Sequence, residues 1–129
     1  MKISAPRLRE VQYPALVGVI EHERLARNEA LFREVNERIN GIAAEFSRFA
    51  GAEEYEYVCE CSDPDCVDRI TLTLEEYDRI RADGTRFVLA PGHVRHEIEH
   101  VVEETAEHVV VEKHGVAGEI VADSDPRAA

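Results

Sequence analysis

The three cysteines of this chain fall within eight residues, Cys59-Glu60-Cys61-Ser62-Asp63-Pro64-Asp65-Cys66, and no other feature constrains the fold as strongly. An odd count bunched in one segment is not the dispersed, even set of a secreted disulfide scaffold. Buried reduced thiols, or one reactive thiol with a labile disulfide, are the structural alternatives. Intervening charges at an expected turn do not resemble core positions, so the C-x-C-x4-C string reads as a ligand set. Zinc takes sulfur at about 2.3 Å in a tetrahedron, and a Pro-containing turn between strands can present three thiolates to it. Iron-sulfur clusters also use thiolates, but one added imidazole and an oxygen-rich turn suit zinc better.

A fourth ligand has to come from elsewhere. His93 is the first candidate, because Pro91-Gly92 before it forms a turn able to swing an imidazole toward a hairpin tip. His96 is the second, and Asp63 and Asp65 are weaker ones. A closed set of thiolates and imidazole leaves no position for substrate or water, so the zinc reads as structural.

Around this site the chain divides by pattern. Residues 1–20 contain Pro6 and Pro14, show no clean periodicity and read as irregular, with a short extended piece at Ala15 to Ile20. Residues 21–50 form an amphipathic helix in which Leu25, Asn28, Phe32, Val35, Ile39, Ile42, Phe46 and Phe49 recur in steps of three and four. This row reads as the seam of a helical hairpin, a coiled-coil dimer or another protein partner, with Asn28 setting register; the alternative is an ordinary helix lying on its own domain. Gly41 lies inside the pattern and argues for a kink or break.

Residues 52–121 read as a small zinc-binding domain. Alternation at Tyr55, Tyr57 and Cys59, and again over Val67 to Leu72, predicts a hairpin carrying the cysteines at its tip. Thr73 and Glu76 form a capping box opening a short helix that Asp83-Gly84 ends. Arg86 to Leu89 reads as a strand, Glu97 to about Glu104 as a helix with Val94, Ile98, Val101 and Val102 on one side, and His108 to Lys113 as a strand. Residues 122–129 read as disordered. The expected fold is α+β: a long N-terminal helix, then β-β-α-β-α-β with zinc clamping the hairpin tip to the Pro-Gly-His turn.

Two resemblances bear on this reading. Over its eight residues the cysteine string resembles the post-SET zinc motif of histone methyltransferases, which also takes its fourth ligand from a distant segment; no other part of the chain looks like a SET domain. Across roughly positions 22 to 127, the strings RLARNEALFREVNERI, YVCECSDPDC, LTLEEYDRIR, RFVLAPGH and VVVEKHG resemble a family of small, functionally uncharacterised bacterial proteins. That resemblance implies Cys59, Cys61, Cys66 and His93 as one set and supplies no activity. In that family the positions of His96 and His100 usually hold other residues.

His96-Glu97-Ile98-Glu99-His100 matches H-E-x-x-H, in which two imidazoles one helical turn apart bind zinc and the glutamate activates water. Glu99 stands where metallopeptidases carry an uncharged residue. The apolar face of the expected helix would also turn both histidines to solvent. A zinc hydrolase using His96, Glu97 and His100 is therefore the alternative to a non-enzymatic interaction or regulatory module, and a thiol redox or zinc-release sensor is the third reading. His22, His108 and His114 read as surface or edge residues.

Composition narrows the partners. Fifteen Lys and Arg against 27 Asp and Glu give a formal charge of −12, which repels a phosphate backbone or an anionic membrane. Residues 1–20 have no apolar run of secretory length and no stretch approaches a membrane span, so the expectation is a cytoplasmic protein.

Overall fold

The computed structural model describes residues 5–50 and 54–128, with side chains in the long helix described from 18 to 48. The elements are α1 (Ala5–Ala50), β1 (Glu54–Val58), β2 (Arg69–Thr73), α2 (Leu74–Ile80), β3 (Arg86–Leu89), β4 (Glu99–Glu104), β5 (Val109–Lys113) and α3 (Gly115–Asp123). The fold is α+β, with an antiparallel β1-β2 hairpin and a second antiparallel sheet in the order β3-β5-β4. Tyr57, Ile70 and Leu72 of the hairpin meet Tyr77 and Ile80 of α2, Phe87 to Leu89 of β3, Val109 to Val111 of β5 and Val121 of α3 in one core. Among the described residues no helix is long and apolar enough to cross a membrane.

Six of these eight elements stand where the sequence pattern puts them, β4 and α3 being the exceptions. Thr73 Oγ1 accepts from the Glu76 amide at 3.0 Å and the Glu76 carboxylate accepts from the Thr73 amide at 2.8 Å, so the capping box starts α2 as expected. The segment expected as a helix from Glu97 to Glu104 is instead strand β4. Its β-branched Val101 and Val102 sit beside β5, and a bulge between Val101 and Glu103 absorbs the spacing that imitated a helix. Helix α3 was not expected, because Gly115 and Gly118 weaken any helical pattern. Gly118 is required by packing: a Cβ there would lie 3.0 Å from the Lys113 carbonyl oxygen.

α1 is longer than its pattern and turned differently. Residues 1–4 lie outside the described residues, but from Ala5 onward the expected irregular segment and the extended piece at Ala15 to Ile20 are helical. Pro6 falls in the first turn, where a missing N–H costs no intrahelical bond. The helix passes Gly41 without a break. It meets its own domain through Ala26, Glu29, Arg33, Asn36, Asn40 and Ala43, all buried. That row follows the predicted apolar seam by one residue, a rotation of about 100°.

The buried row is polar because each member reaches a specific partner. Arg33 donates to the Gly84 and Val121 carbonyls at 2.7 Å each, closing the end of α3, and its guanidinium lies 4.5 Å from the Phe87 ring centre. Asn36 both donates to the Val58 carbonyl and accepts from the Val58 amide, at 2.8 Å each, which satisfies the free edge of β1 as a neighbouring strand would. Asn40 accepts from the Tyr57 hydroxyl at 2.7 Å and donates to Asp78 at 3.1 Å.

The expected disorder over 122–129 is also corrected, for every residue but the last, which lies outside the described ones. Buried Arg81 pairs with Glu37 of α1 at 2.6 Å and with Asp125, and Arg127 reaches Glu37 at 2.8 Å and Asp78 at 3.0 Å. The C-terminal segment is thus laced to α1 and α2 by charge.

A second charged group lies deeper. Lys113 sits between Glu29 of α1 and Glu99 of β4, and all three side chains are fully buried. Glu99 stands directly opposite Lys113 in the β4-β5 register, which places the pair on one face. Burial raises Glu29 from 4.5 to about 7 despite the attraction of Lys113, and burial lowers Lys113 from 10.5 to about 8. The folded chain therefore keeps the Glu29 proton up to about pH 7, whereas the unfolded chain releases it near 4.5. Stability from this group is full below about pH 4.5 and is lost as pH rises through about 7. Glu29→Gln, which fixes the neutral form, should remove that component. Melting temperatures of the two proteins should converge near pH 4.5 and diverge in favour of the glutamine variant above about 7; parallel profiles would show that folding leaves the Glu29 pKa unshifted.

Candidate metal centre

Two turns build the site. The first is the loop joining β1 to β2, which begins with the Cys59 amide still in the ladder, donating to the Asp68 carbonyl at 3.0 Å. Asp63 Oδ1 accepts from the Asp65 amide at 2.9 Å and the Asp63 carbonyl from the Cys66 amide at 3.1 Å, so the loop doubles back and returns Cys66 toward Cys59. The second follows β3: Ala90-Pro91-Gly92-His93, closed by the His93 amide donating to the Ala90 carbonyl at 3.3 Å. Gly92 has φ +87°, the value required at the third position of a type II turn with proline second.

These turns bring Cys59, Cys61, Cys66 and His93 together with all four ligand atoms within 4.8 Å of one another, the one such group among the described residues. His93 Nδ1 lies 3.5 Å from Cys59 Sγ and 3.6 Å from Cys66 Sγ. A tetrahedral ion with metal–sulfur bonds of about 2.3 Å and metal–nitrogen bonds of about 2.0–2.1 Å has sulfur–nitrogen edges of about 3.6 Å. The donor set therefore has the dimensions of a coordination shell and can hold a metal ion.

The surroundings match that use. The other imidazole nitrogen, His93 Nε2, lies 3.1 Å from the Asp68 carboxylate, which aims Nδ1 at the sulfurs. The Ala90 amide donates to Cys59 Sγ at 3.1 Å. The thiols share their charge unevenly: hydrogen bonding from Cys59, opposed by burial, pulls Cys61 down to about 5. The partnership with Cys61 and burial push Cys59 far up, and burial raises Cys66. A divalent ion bound among them would displace the protons that the thiols carry.

Three supporting residues were missed in the sequence, Asp68 among them. Glu60, between two cysteines, read as an exposed turn charge but is fully buried. Its carboxylate accepts from the Tyr77 hydroxyl at 2.6 Å, Asn36 at 2.9 Å and the Val88 amide at 3.0 Å, and burial raises its pKa. It ties the start of the cysteine loop to α1, α2 and β3. Asn28, expected to set register between helices, donates instead to the Ser62 carbonyl at 3.0 Å and holds the loop against α1. Alternation could not have revealed Glu60, since the pattern that puts its neighbours Cys59 and Cys61 inside assigns Glu60 to the opposite face.

The weaker ligand candidates stand apart. Asp63 and Asp65 are exposed and serve the turn. His96 is exposed and lies before β4, and His100 is on that strand, its ring stacked 5.8 Å from His114. The two imidazoles of HEIEH are therefore not on one turn of a helix, and the geometry a hydrolase motif requires is not formed. His108, expected at the surface, is buried in the β4-β5 turn beside Thr105.

Removing the carboxylate behind the histidine should weaken the site without deleting a ligand. Asp68→Ala is expected to lower metal affinity by about 10–100-fold in competition with a chromophoric chelator while leaving the saturated stoichiometry unchanged. An unchanged affinity would show that Asp68 does not orient His93.

Set against protein-family models, curated proteins and solved structures, the chain has no significant match in any of the three.

Proposed function

We propose that this chain is a non-enzymatic interaction or regulatory module of the cytoplasm whose small domain is held in shape by one structural zinc ion. The observation that carries the reading is the closed donor set: three thiols and one imidazole converge at coordination distances, and the imidazole is oriented by Asp68. Three sulfurs and one nitrogen in a tetrahedral arrangement suit zinc, and a filled shell has no position for a substrate. Three cysteines without a disulfide among them fit a reducing compartment. The proposal includes membership in the family of small bacterial proteins that the chain resembles.

In this reading zinc links segments that the chain joins only through long connections. The β1-β2 tip supplies three ligands and the turn after β3 supplies the fourth. Zinc binding then contributes directly to folding. Metal analysis of the untagged protein should give about one zinc per chain, lost in Cys66→Ser and His93→Ala and kept in His96→Ala. A chelator should lower the melting temperature of the unchanged protein and leave that of Cys66→Ser where it already stands. Metal that depends on His96, or none at all, would overturn the reading.

A further inference from the structure

The row of α1 that the sequence marked as a seam is left facing outward by its own domain. Val35 is 41% exposed, Ile42 70% and Phe46 55%, while Phe32 and Ile39 of the same row are half-buried. Leu25 and Asn28, the first members of the row, are taken up by the chain itself. The unpartnered part thus runs from Phe32 to Phe46 in steps of three, four, three and four, which is the heptad seam of a coiled coil.

The surface beside this row has the shape that such packing requires. One groove is walled by Ile39, Ile42, Ala43 and Phe46 with Tyr55 and Glu56 of β1. A second includes Val35, Arg38, Ile39 and Ile42. Each set of four helix residues has the spacing i, i+3, i+4, i+7, the diamond that receives one side chain from a facing helix.

Charge identifies the occupant. Arg38 and Glu45 lie one heptad apart on the flank of the row and are both exposed, Glu45 already making a surface pair with Arg48 at 2.9 Å. Laid beside a second copy running the opposite way, with the two-fold axis passing between residues 40 and 41, Ile39 faces Ile42 of the other copy and Val35 faces Phe46. In that register each Ile39 and Ile42 enters one of the two grooves, and Arg38 of each copy lies near Glu45 of the other, twice by symmetry. A parallel pairing in register would place this flank beside the other flank of the partner helix, so that Arg38 would face Ala43 and no opposite charge.

We infer that α1 is the interface of an antiparallel homodimer, in which Val35, Ile39, Ile42 and Phe46 of two copies interdigitate and two Arg38–Glu45 pairs set direction. The occupant is a second copy of this chain. The inference does not rest on the metal, because Val35, Ile39, Ile42 and Phe46 are not the residues of α1 that bond the cysteine loop, which are Asn28 and Asn36.

Sedimentation of the full-length, metal-loaded protein over a concentration series tests it. A dimer should dissociate in Ile42→Glu, a substitution at an exposed position, with metal content and far-ultraviolet circular dichroism unchanged. Arg38→Glu and Glu45→Arg should each raise the dissociation constant by about tenfold, and the double exchange should restore it. A monomer at every concentration, alone or bound to another protein, would overturn the inference. So would a dimer indifferent to Ile42→Glu, or a double exchange that fails to recover the affinity.

Discussion

Three sulfurs and one imidazole nitrogen crowded within 4.8 Å of one another are the condition on which the arrangement of the small domain depends. Ionised together, such donors repel; neutral, they are small weak hydrogen-bonding groups with little to hold them in place. A cation between them reverses the sign of the interaction. It would also make one closed loop of the β1-β2 tip, the end of β3 and the type II turn, segments whose backbone bonds to one another are few. The chain has no tryptophan and few aromatic residues from which to build a larger core, so a metal staple is a direct way to stabilise a domain of this size.

Around that centre, polar side chains do work that apolar packing does in most small domains. Glu60 joins the cysteine loop to three elements, Asn36 completes the edge of β1, and Asn28 holds the Ser62 carbonyl. Arg33 and the Lys113 group anchor α1 to the sheet and to α3. Such bonds are directional, and a buried polar group left without its partner is costly, so they fix α1 in one rotation about its axis. That rotation is what leaves the apolar row outside.

The parts of this structure that were legible in the sequence are those governed by short-range chemistry. The cysteine spacing, the Pro91-Gly92 turn before His93, the Thr73–Glu76 capping box and strand β3 each depend on a few neighbouring residues. The misread parts depend on distant ones. Hydrophobic periodicity cannot reveal that Glu29, Arg33, Asn36 and Asn40 are interior, because their partners lie 17 or more residues away in sequence. Nor can it separate the valines of β4 from those of a helix when only pairing with β5 decides between them. The C-terminal segment looked disordered because its anchors are charges, Asp125 and Arg127, which a sequence reading assigns to solvent.

X-ray absorption at the metal edge of the isolated protein tests the central claim most directly, because it reads donor type, number and distance together. A shell of about three sulfurs at about 2.3 Å and one nitrogen at about 2.0–2.1 Å, unchanged in His96→Ala, is the result expected for Cys59, Cys61, Cys66 and His93 around zinc. A shell dominated by oxygen and nitrogen, with at most one sulfur, would contradict it and place the metal elsewhere in the chain.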